Sequence, residues 1–227
     1  MSHAVVLHQW EISPFCQKVA KALKHKGIAF DTVNYNGILG AKVKGLSKVG
    51  KLPVIDINGQ RIQDSTRIAR YLDEAYPDTL PLYAKNPQIN AQIELWEDWS
   101  DEVLYWFEVY FRVNDSDALE QAVAISTVGR PIYETFILKP LLKTALKTQV
   151  MMQGLGRMNK EDVEEDFLRH LDRIELTLST TGFLVGETKT IADIAVSTQL
   201  SEIVRTSSTM RPHVLSRPTI AKWLKQI

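Results

Sequence analysis

The hydrophobic pattern of this 227-residue chain changes once, near Pro77, and this change constrains the fold more than any other feature. Before Pro77, short apolar runs typical of strands alternate with segments of helical spacing. After it, amphipathic helical patterns recur without a convincing strand. The pattern predicts an α/β domain at residues 1–78, a linker with several prolines at 79–87, and an all-helical domain at 88–227.

The first part predicts a small mixed sheet with a thioredoxin-like layout. Strands are predicted at residues 4–10, 29–35 and 53–57, and the turn at Asn58-Gly59 returns the chain antiparallel through 60–62. One helix is predicted from Pro14 to Gly27, with the polar side chains of Gln17, Lys18, Lys21 and Lys24 on its outer face. Another follows "QDS" and stops at Pro77. Residues 36–51, rich in glycine and lysine, predict a loop with at most a short helix.

Composition narrows the class of partner. The 27 basic residues balance the 27 acidic ones, which disfavours nucleic acid and anionic membranes and favours a small molecule or a protein. The single cysteine, Cys16, excludes an internal disulfide and suits a reducing compartment. Neither a signal peptide nor a membrane-spanning apolar run is apparent, and we expect a cytoplasmic protein. The scattered histidines suggest no metal site.

The segment "SPFC" at residues 13–16 begins the first predicted helix and carries the clearest chemical signal. With Pro14 at the first helical position, Ser13 is the natural N-cap, which by itself needs no catalytic role. The same helix end also forms an anion site, where a thiolate would be stabilised by the dipole and by a hydroxyl donor. Cys16 lies one turn later, and burial in the core is its simpler explanation.

Together with "GKLPVI" and "QDSTRIARYLDE", this motif resembles the glutathione S-transferase family, over nearly the whole chain. "SPFC" is most similar to serine-type or omega-like members, including bacterial-type and tau-like ones. The resemblance implies glutathione as co-substrate, bound by the thioredoxin-like domain, and an apolar electrophile bound against the helical domain. It implies that Ser13 hydrogen-bonds and activates the glutathione thiolate, and that Phe15 belongs to the same site.

The resemblance also assigns binding roles to two later segments. It implies a cis bond between Leu52 and Pro53, which turns the backbone of Leu52 toward the cysteinyl part of glutathione. Lys51 could meet the glycyl carboxylate, or it is a solvated loop lysine. Asp64 would bind the γ-glutamyl ammonium and Ser65 its carboxylate. Plain capping of the next helix is the alternative for both residues.

Two further predictions concern the helical domain. "TIADIAV" predicts that Thr190 caps a buried helix and that Asp193 answers from three residues on, a folding role. Residues 96–111 are rich in aromatics, and one helical stripe predicts core positions at Trp96, Trp99, Val103, Trp106 and Tyr110. The remaining aromatics suggest that part of this segment lines an apolar pocket or a subunit interface.

Three functions follow as hypotheses. The leading one is a glutathione transferase that conjugates the glutathione thiolate to an apolar electrophile, in the cytoplasm and typical of detoxification. A second is a glutathione-dependent thiol or peroxide reductase that uses Cys16. A third is a non-catalytic scaffold on the same fold, binding a protein partner. The resemblance implies a two-fold homodimer.

Overall fold

The computed structural model describes residues 5–227, and only the backbone at residue 116. Four short strands form one mixed sheet: β1 (Val6–Gln9), β2 (Asp31–Asn34), β3 (Val54–Ile57) and β4 (Gln60–Gln63). Their order in the sheet is β2-β1-β3-β4; β1 runs parallel to β2 and antiparallel to β3, and β3 and β4 form the hairpin. The mixed sheet predicted from the sequence is thereby confirmed. Ala4, where the predicted first strand begins, lies outside the described residues.

Two helices cover the sheet. Helix α1 (Pro14–His25) begins at the Ser13 N-cap, and α2 (Ser65–Ala75) begins at Asp64. Between β2 and β3 the chain forms a 3₁₀ helix, Gly37–Gly45, where the sequence predicts a loop with at most a short helix. The hairpin turn requires positive φ at Asn58 and Gly59, which explains why these residues are favourable there.

The rest of the chain is helical, as predicted from the sequence. The helices are α3 (Pro87–Trp99), α4 (Tyr105–Asn114), α5 (Ser116–Ser126), α6 (Tyr133–Gln153), α7 (Lys160–Thr181), α8 (Ile191–Thr206), α9 (Arg211–Leu215) and α10 (Pro218–Trp223). A π-helical turn, Ser100–Leu104, joins α3 directly to α4, and a short 3₁₀ helix, Leu155–Arg157, follows α6. The predicted linker at 79–87 falls between α2 and α3 except for Pro87, which is the first residue of α3, and the domain boundaries stay a prediction.

Helix α8 lies at the centre of the fold, and most of its residues are buried. It packs against α1, α3, α4 and α5, so it joins the sheet-containing part to the helical part. At its start, Asp193 accepts hydrogen bonds from the backbone N–H (3.0 Å) and the hydroxyl (3.2 Å) of Thr190. The capping box predicted from these two residues is confirmed, and it also holds Trp223, whose indole N–H donates to Asp193.

Two predictions about side-chain burial are wrong. Lys18, expected on the outer face of α1, is 1% exposed, because its ammonium pairs with the buried Glu97 at 2.6 Å and with Asp101 at 2.7 Å. In the aromatic segment, Trp96, Trp99 and Trp106 are half-buried and Val103 is exposed, whereas Tyr110 is buried as predicted. The buried stripe lies beside the predicted one and includes the polar residues Glu97, Ser100 and Glu108. Because this buried stripe contains polar and paired charged side chains, the periodicity of apolar residues does not reveal it.

Candidate functional site

A cavity of about 990 Å³ lies between the sheet-containing part and the helical part. Its lining residues come from two separate stretches of the chain, 10–52 and 101–149. The first stretch supplies the start of α1 and the 3₁₀ helix, and the second supplies the π-helical turn, α4 and one side of α6. Neither part encloses the cavity alone.

Ser13 lines this cavity at the N-terminus of α1. Its backbone is extended (φ −82°, ψ 120°), and its Oγ accepts a hydrogen bond from the N–H of Cys16 at 3.4 Å. A serine hydroxyl has one hydrogen to donate as well as lone pairs to accept. Capping and donation to a thiolate are therefore compatible, and the two interpretations of Ser13 do not compete. Phe15 lines the cavity beside it.

The cis peptide bond implied by the resemblance is present between Leu52 and Pro53. Leu52 lines the cavity, and its backbone N–H and C=O make no hydrogen bond within residues 5–227. They are thus available to a ligand with an extended backbone. Lys51 also lines the cavity and is exposed, whereas Pro53 is buried and lies outside the lining.

Asp64 and Ser65 do not line the cavity. Asp64 is exposed, has φ +79°, and caps α2 by accepting a hydrogen bond from the N–H of Arg67 at 3.1 Å. A non-glycine residue with positive φ is strained and is worth a functional explanation. Asp64 does lie within electrostatic range of Asp101, which lines the cavity. Ser65 is buried at the first position of α2.

Asp101 is a cavity residue that the sequence does not reveal. It lies in the π-helical turn, where one oxygen pairs with Lys18 at 2.7 Å and the other, Oδ1, has no hydrogen-bond partner within residues 5–227. Burial raises its pKa to about 6, and the Lys18 ammonium opposes that rise. Glu97 shares the same lysine and accepts a hydrogen bond from the hydroxyl of Tyr83 at 2.8 Å. In the sequence, the only sign of this role is the position of an acidic pair, Asp101-Glu102, among the aromatic residues of 96–111.

Two further cavity residues, Tyr105 and Arg112, lie on α4, and Arg112 was not predicted. Tyr105 contacts the ring of Phe15, with the ring centroids 5.0 Å apart, and burial raises its pKa. Arg112 is 6% exposed and also lines the cavity. The prediction that aromatics of 96–111 outside the core stripe line a pocket is borne out by Tyr105, and Trp106, predicted as a core position, lines the cavity as well.

Most of the remaining lining is apolar. Ile38, Ala41 and Val43 of the 3₁₀ helix face a row of aliphatic side chains from α6: Ile137, Leu138, Leu141, Leu142 and Leu146. Such walls bind a second, apolar molecule better than they bind a polar peptide. The cavity thus has a polar end with a hydroxyl at a helix N-terminus and a broad apolar side.

Cys16 is unsuited to redox chemistry in this fold. Its side chain is fully buried, and its Sγ accepts a hydrogen bond from the N–H of Trp10 at 3.4 Å. Burial raises the pKa of the thiol to about 11, so the reactive thiolate is scarce near neutral pH. These observations favour the packing interpretation of Cys16.

Across residues 5–227, no three His, Cys, Asp or Glu side chains group in a way that could hold a metal ion. None of the helices in the described part of the chain is both long and apolar enough to span a bilayer.

The chain is similar to known proteins in both sequence and structure. Residues 7–80 match the family model described as "Glutathione S-transferase, N-terminal domain". The isoprene-epoxide–glutathione S-transferase of Rhodococcus sp. (strain AD45) is 25% identical over 222 residues, 96% of this chain and 92% of that protein. Glutathione S-transferase U22 of Arabidopsis thaliana is 30% identical over 109 residues, 46% of this chain and 49% of that protein. The crystal structure of the beta-etherase LigF from Sphingobium sp. strain SYK-6 superimposes with a TM-score of 0.71 at 19% identity, over 98% of this chain and 94% of that one.

These similarities differ in what they establish. The LigF structure supports the fold alone, because its sequence identity is low. The chain spans most of the Rhodococcus protein but about half of U22. Several curated relatives are glutathione S-transferases, which supports a transferase enzyme. The domain match shows a glutathione S-transferase N-terminal domain at residues 7–80, and the curated relatives support the glutathione S-transferase family for the chain.

Proposed function

We propose that the protein is a glutathione transferase that adds the thiolate of glutathione to an apolar electrophile. The observation that carries the proposal is the position of Ser13. Ser13 lies at the N-terminus of α1, which its hydroxyl caps, and it lines the same cavity as the aliphatic walls of the 3₁₀ helix and α6. One cavity therefore offers a place for a negative sulfur and a place for an apolar partner.

In this proposal Ser13 stabilises the thiolate by donating a hydrogen bond, while its lone pair continues to accept from the N–H of Cys16. The positive end of the helix dipole adds to this effect. The thiol proton leaves to solvent, because a serine hydroxyl is too weak a base to keep it. The sulfur then forms a bond to an electrophilic carbon, while the bond from that carbon to its leaving group or ring oxygen breaks. A lowered thiol pKa increases the fraction of nucleophile at neutral pH.

The binding roles of the other predicted residues remain part of the proposal. The free backbone groups of Leu52, beside Pro53, would pair with the cysteinyl unit, and Lys51 would meet the glycyl carboxylate. Asp64 and Ser65 would hold the γ-glutamyl head from the start of α2. The support for Asp64 is its positive φ and its closeness to Asp101, although its carboxylate now caps the helix.

The proposal also covers the assembly and the location of the protein. A two-fold homodimer, with the sheet-containing domain of one subunit against the helical domain of the other, follows from the family. A cytoplasmic location fits the single thiol, since glutathione is kept reduced there. Of the rival functions, the burial of Cys16 disfavours the reductase, and a cavity open to small molecules gives the scaffold no specific support.

Isothermal titration with millimolar glutathione tests the proposal, and absence of binding would refute it. For the role of Ser13, we expect Ser13→Ala to lower kcat/KM about a hundredfold, the effect of losing one donor to a developing charge. The pH profile of that variant should show a higher apparent pKa for the bound thiol. Ser13→Thr keeps both the hydroxyl and the cap, and it is the matched control. Full activity of Ser13→Ala would remove Ser13 from the mechanism but leave the family assignment intact.

A further inference from the structure

A buried arginine with unused donors lies against the cavity. Arg112 donates from Nη2 to the backbone oxygen of Ile12 at 3.5 Å and to the carboxylate of Glu108. Its Nε is buried without a hydrogen-bond partner, and no hydrogen bond from Nη1 is found within residues 5–227. Because a buried charged group with unsatisfied donors is unfavourable, such a group in a binding cavity suggests a ligand that completes it.

The charges around Arg112 leave room for one more anion. Glu202 accepts two hydrogen bonds from Arg205, both at 2.7 Å, and lies 3.9 Å from Arg112. Lys21 lies within electrostatic range of Glu202 as well. This cluster therefore has three cationic groups, Arg112, Arg205 and Lys21, against the two carboxylates of Glu108 and Glu202. Of the three cations, Arg112 is the one that lines the cavity.

Tyr105 supplies a second donor on the same face of α4. It lies seven residues before Arg112, which is about two helical turns, so both side chains reach the same wall of the cavity. Its hydroxyl makes no hydrogen bond within the described part of the chain, and burial raises its pKa, so it stays a donor near neutral pH. Its ring contacts Phe15, which places this donor close to the end of the cavity that contains Ser13.

The acidic residues of the cavity lie in the turn before Tyr105. Asp101 and the exposed Glu102 both line it there. An anionic ligand group would be repelled by this turn and attracted two helical turns further on, at Arg112. Along this wall of the cavity, the charge pattern therefore favours binding of an anionic group at Arg112 rather than at the acidic turn.

We propose that the second substrate carries a carboxylate or a similar oxyanion in addition to its apolar body, and that this group binds the free N–H groups of Arg112, with the hydroxyl of Tyr105 as a second donor. This inference rests on the proposed transferase function and names a substrate class within it. The aliphatic walls of α6 and the 3₁₀ helix would contact the apolar body, and the electrophilic carbon would face Ser13.

A matched pair of substrates tests this inference. A chloronitrobenzoate and the corresponding chloronitrobenzamide have nearly the same shape and leaving group but differ in charge. We expect the wild-type protein to conjugate the acid with a kcat/KM at least about tenfold higher than the amide, as one charge-assisted contact provides. Arg112→Met should reduce this ratio by about the same factor. Arg205→Met is the matched control, because it removes a cation of the same cluster that does not line the cavity, and the ratio should persist.

The possible results separate this inference from the function on which it rests. If glutathione does not bind, the proposed function fails first. If glutathione binds and the amide is conjugated as well as the acid by the wild-type protein, the inference alone fails. An unchanged ratio in Arg112→Met, with weaker glutathione binding instead, would assign the arginine to glutathione and overturn the inference. Should Arg112→Met not fold, the wild-type ratio and Tyr105→Phe, which should lower that ratio by a smaller factor, still decide the question.

Discussion

The carboxylate of Glu134 accepts a hydrogen bond from the backbone N–H of Ile38 at 2.9 Å, and this contact ties the two apolar walls of the cavity together. Glu134 lies at the start of α6, is fully buried, and also pairs with Arg130 at 2.6 Å. Its Oε2 lies against Gly37, where a Cβ would collide with it. A glycine with φ +61° thus permits the approach of a charged side chain to the 3₁₀ helix.

We predict that Gly37→Ala destabilises the protein through this contact. The variant introduces strain at positive φ and forces Glu134 away from its donors. The free energy of unfolding, measured by urea denaturation, should therefore fall by about 3 to 5 kcal/mol. Gly59→Ala is the control, because Gly59 also has positive φ (+74°) but has open space around it. It should lose only about 1 to 2 kcal/mol. Equal losses in the two variants would show that the contact with Glu134 contributes nothing.

The buried Lys18 leads to a second prediction. Lys18→Met would leave the carboxylates of Glu97 and Asp101 inside the protein without their cation, and removing one partner of a buried ion pair costs about 3 to 5 kcal/mol. Lys139→Met is the matched control, since Lys139 pairs with Glu120 on the surface. It should change stability by less than about 1 kcal/mol. Chemical denaturation of both variants measures the difference, and a mild effect at Lys18 would contradict the buried network.

The raised pKa of Asp101 predicts a pH dependence of stability with a definite sign. Burial raises this pKa from 3.8 to about 6, so the folded protein holds the proton more tightly than the unfolded chain does. The resulting stabilisation is complete at low pH and is lost as the pH rises through about 6. The stability of the wild type relative to Asp101→Asn should therefore fall by about 1 to 3 kcal/mol between about pH 4 and about pH 7.

Asp56 provides the control of opposite sign. Hydrogen bonds from Arg61 lower the pKa of Asp56 to about 2, so its stabilising contribution is lost only as the pH falls from about 4 toward that value. The stability of the wild type relative to Asp56→Asn should be constant over the range where Asp101→Asn shows its change. If the stability of the wild type changed with pH by the same amount relative to both variants, a general charge effect, rather than the burial of Asp101, would explain the pH dependence.

Because Cys16 is buried, we predict that its thiol is not needed for glutathione conjugation. We expect Cys16→Ala to keep glutathione conjugation within about twofold while losing about 1 kcal/mol of stability from the truncated side chain. A thiol reagent should label the wild type only after denaturation, because the thiol is fully buried. Loss of a disulfide-exchange activity in Cys16→Ala would instead support the reductase.

The sequence predicted those features that depend on neighbours along the chain. The helix that starts at Ser13 and Pro14 follows from local capping, and the β3–β4 hairpin follows from Asn58-Gly59. Two periodicities in separate parts of the chain were enough to predict the two-part fold. The cis bond before Pro53 was implied by family resemblance rather than by any property of the residues alone.

Features that depend on distant partners were missed. Lys18 and Asp101 are 83 positions apart, and a lysine on a helix gives no sign that two carboxylates will surround it. Arg112 lies 100 positions after Ile12, whose carbonyl it meets. In each case the burial of a charge depends on a partner brought close by the tertiary fold, and hydrophobic periodicity contains no information about such partners.

The division of the cavity between two stretches of chain has an evolutionary consequence. Helix α6 has four buried residues, Glu134, Leu142, Leu146 and Val150. Of these, Leu142 and Leu146 also line the cavity, whereas the cavity-lining residues Ile137, Leu138 and Leu141 are not buried. Sequence drift at these three positions would reshape one wall without disturbing the helix start at Ser13. Under the proposed role of Ser13, changes at these positions would alter which second substrate is accepted while the sulfur is held in the same way.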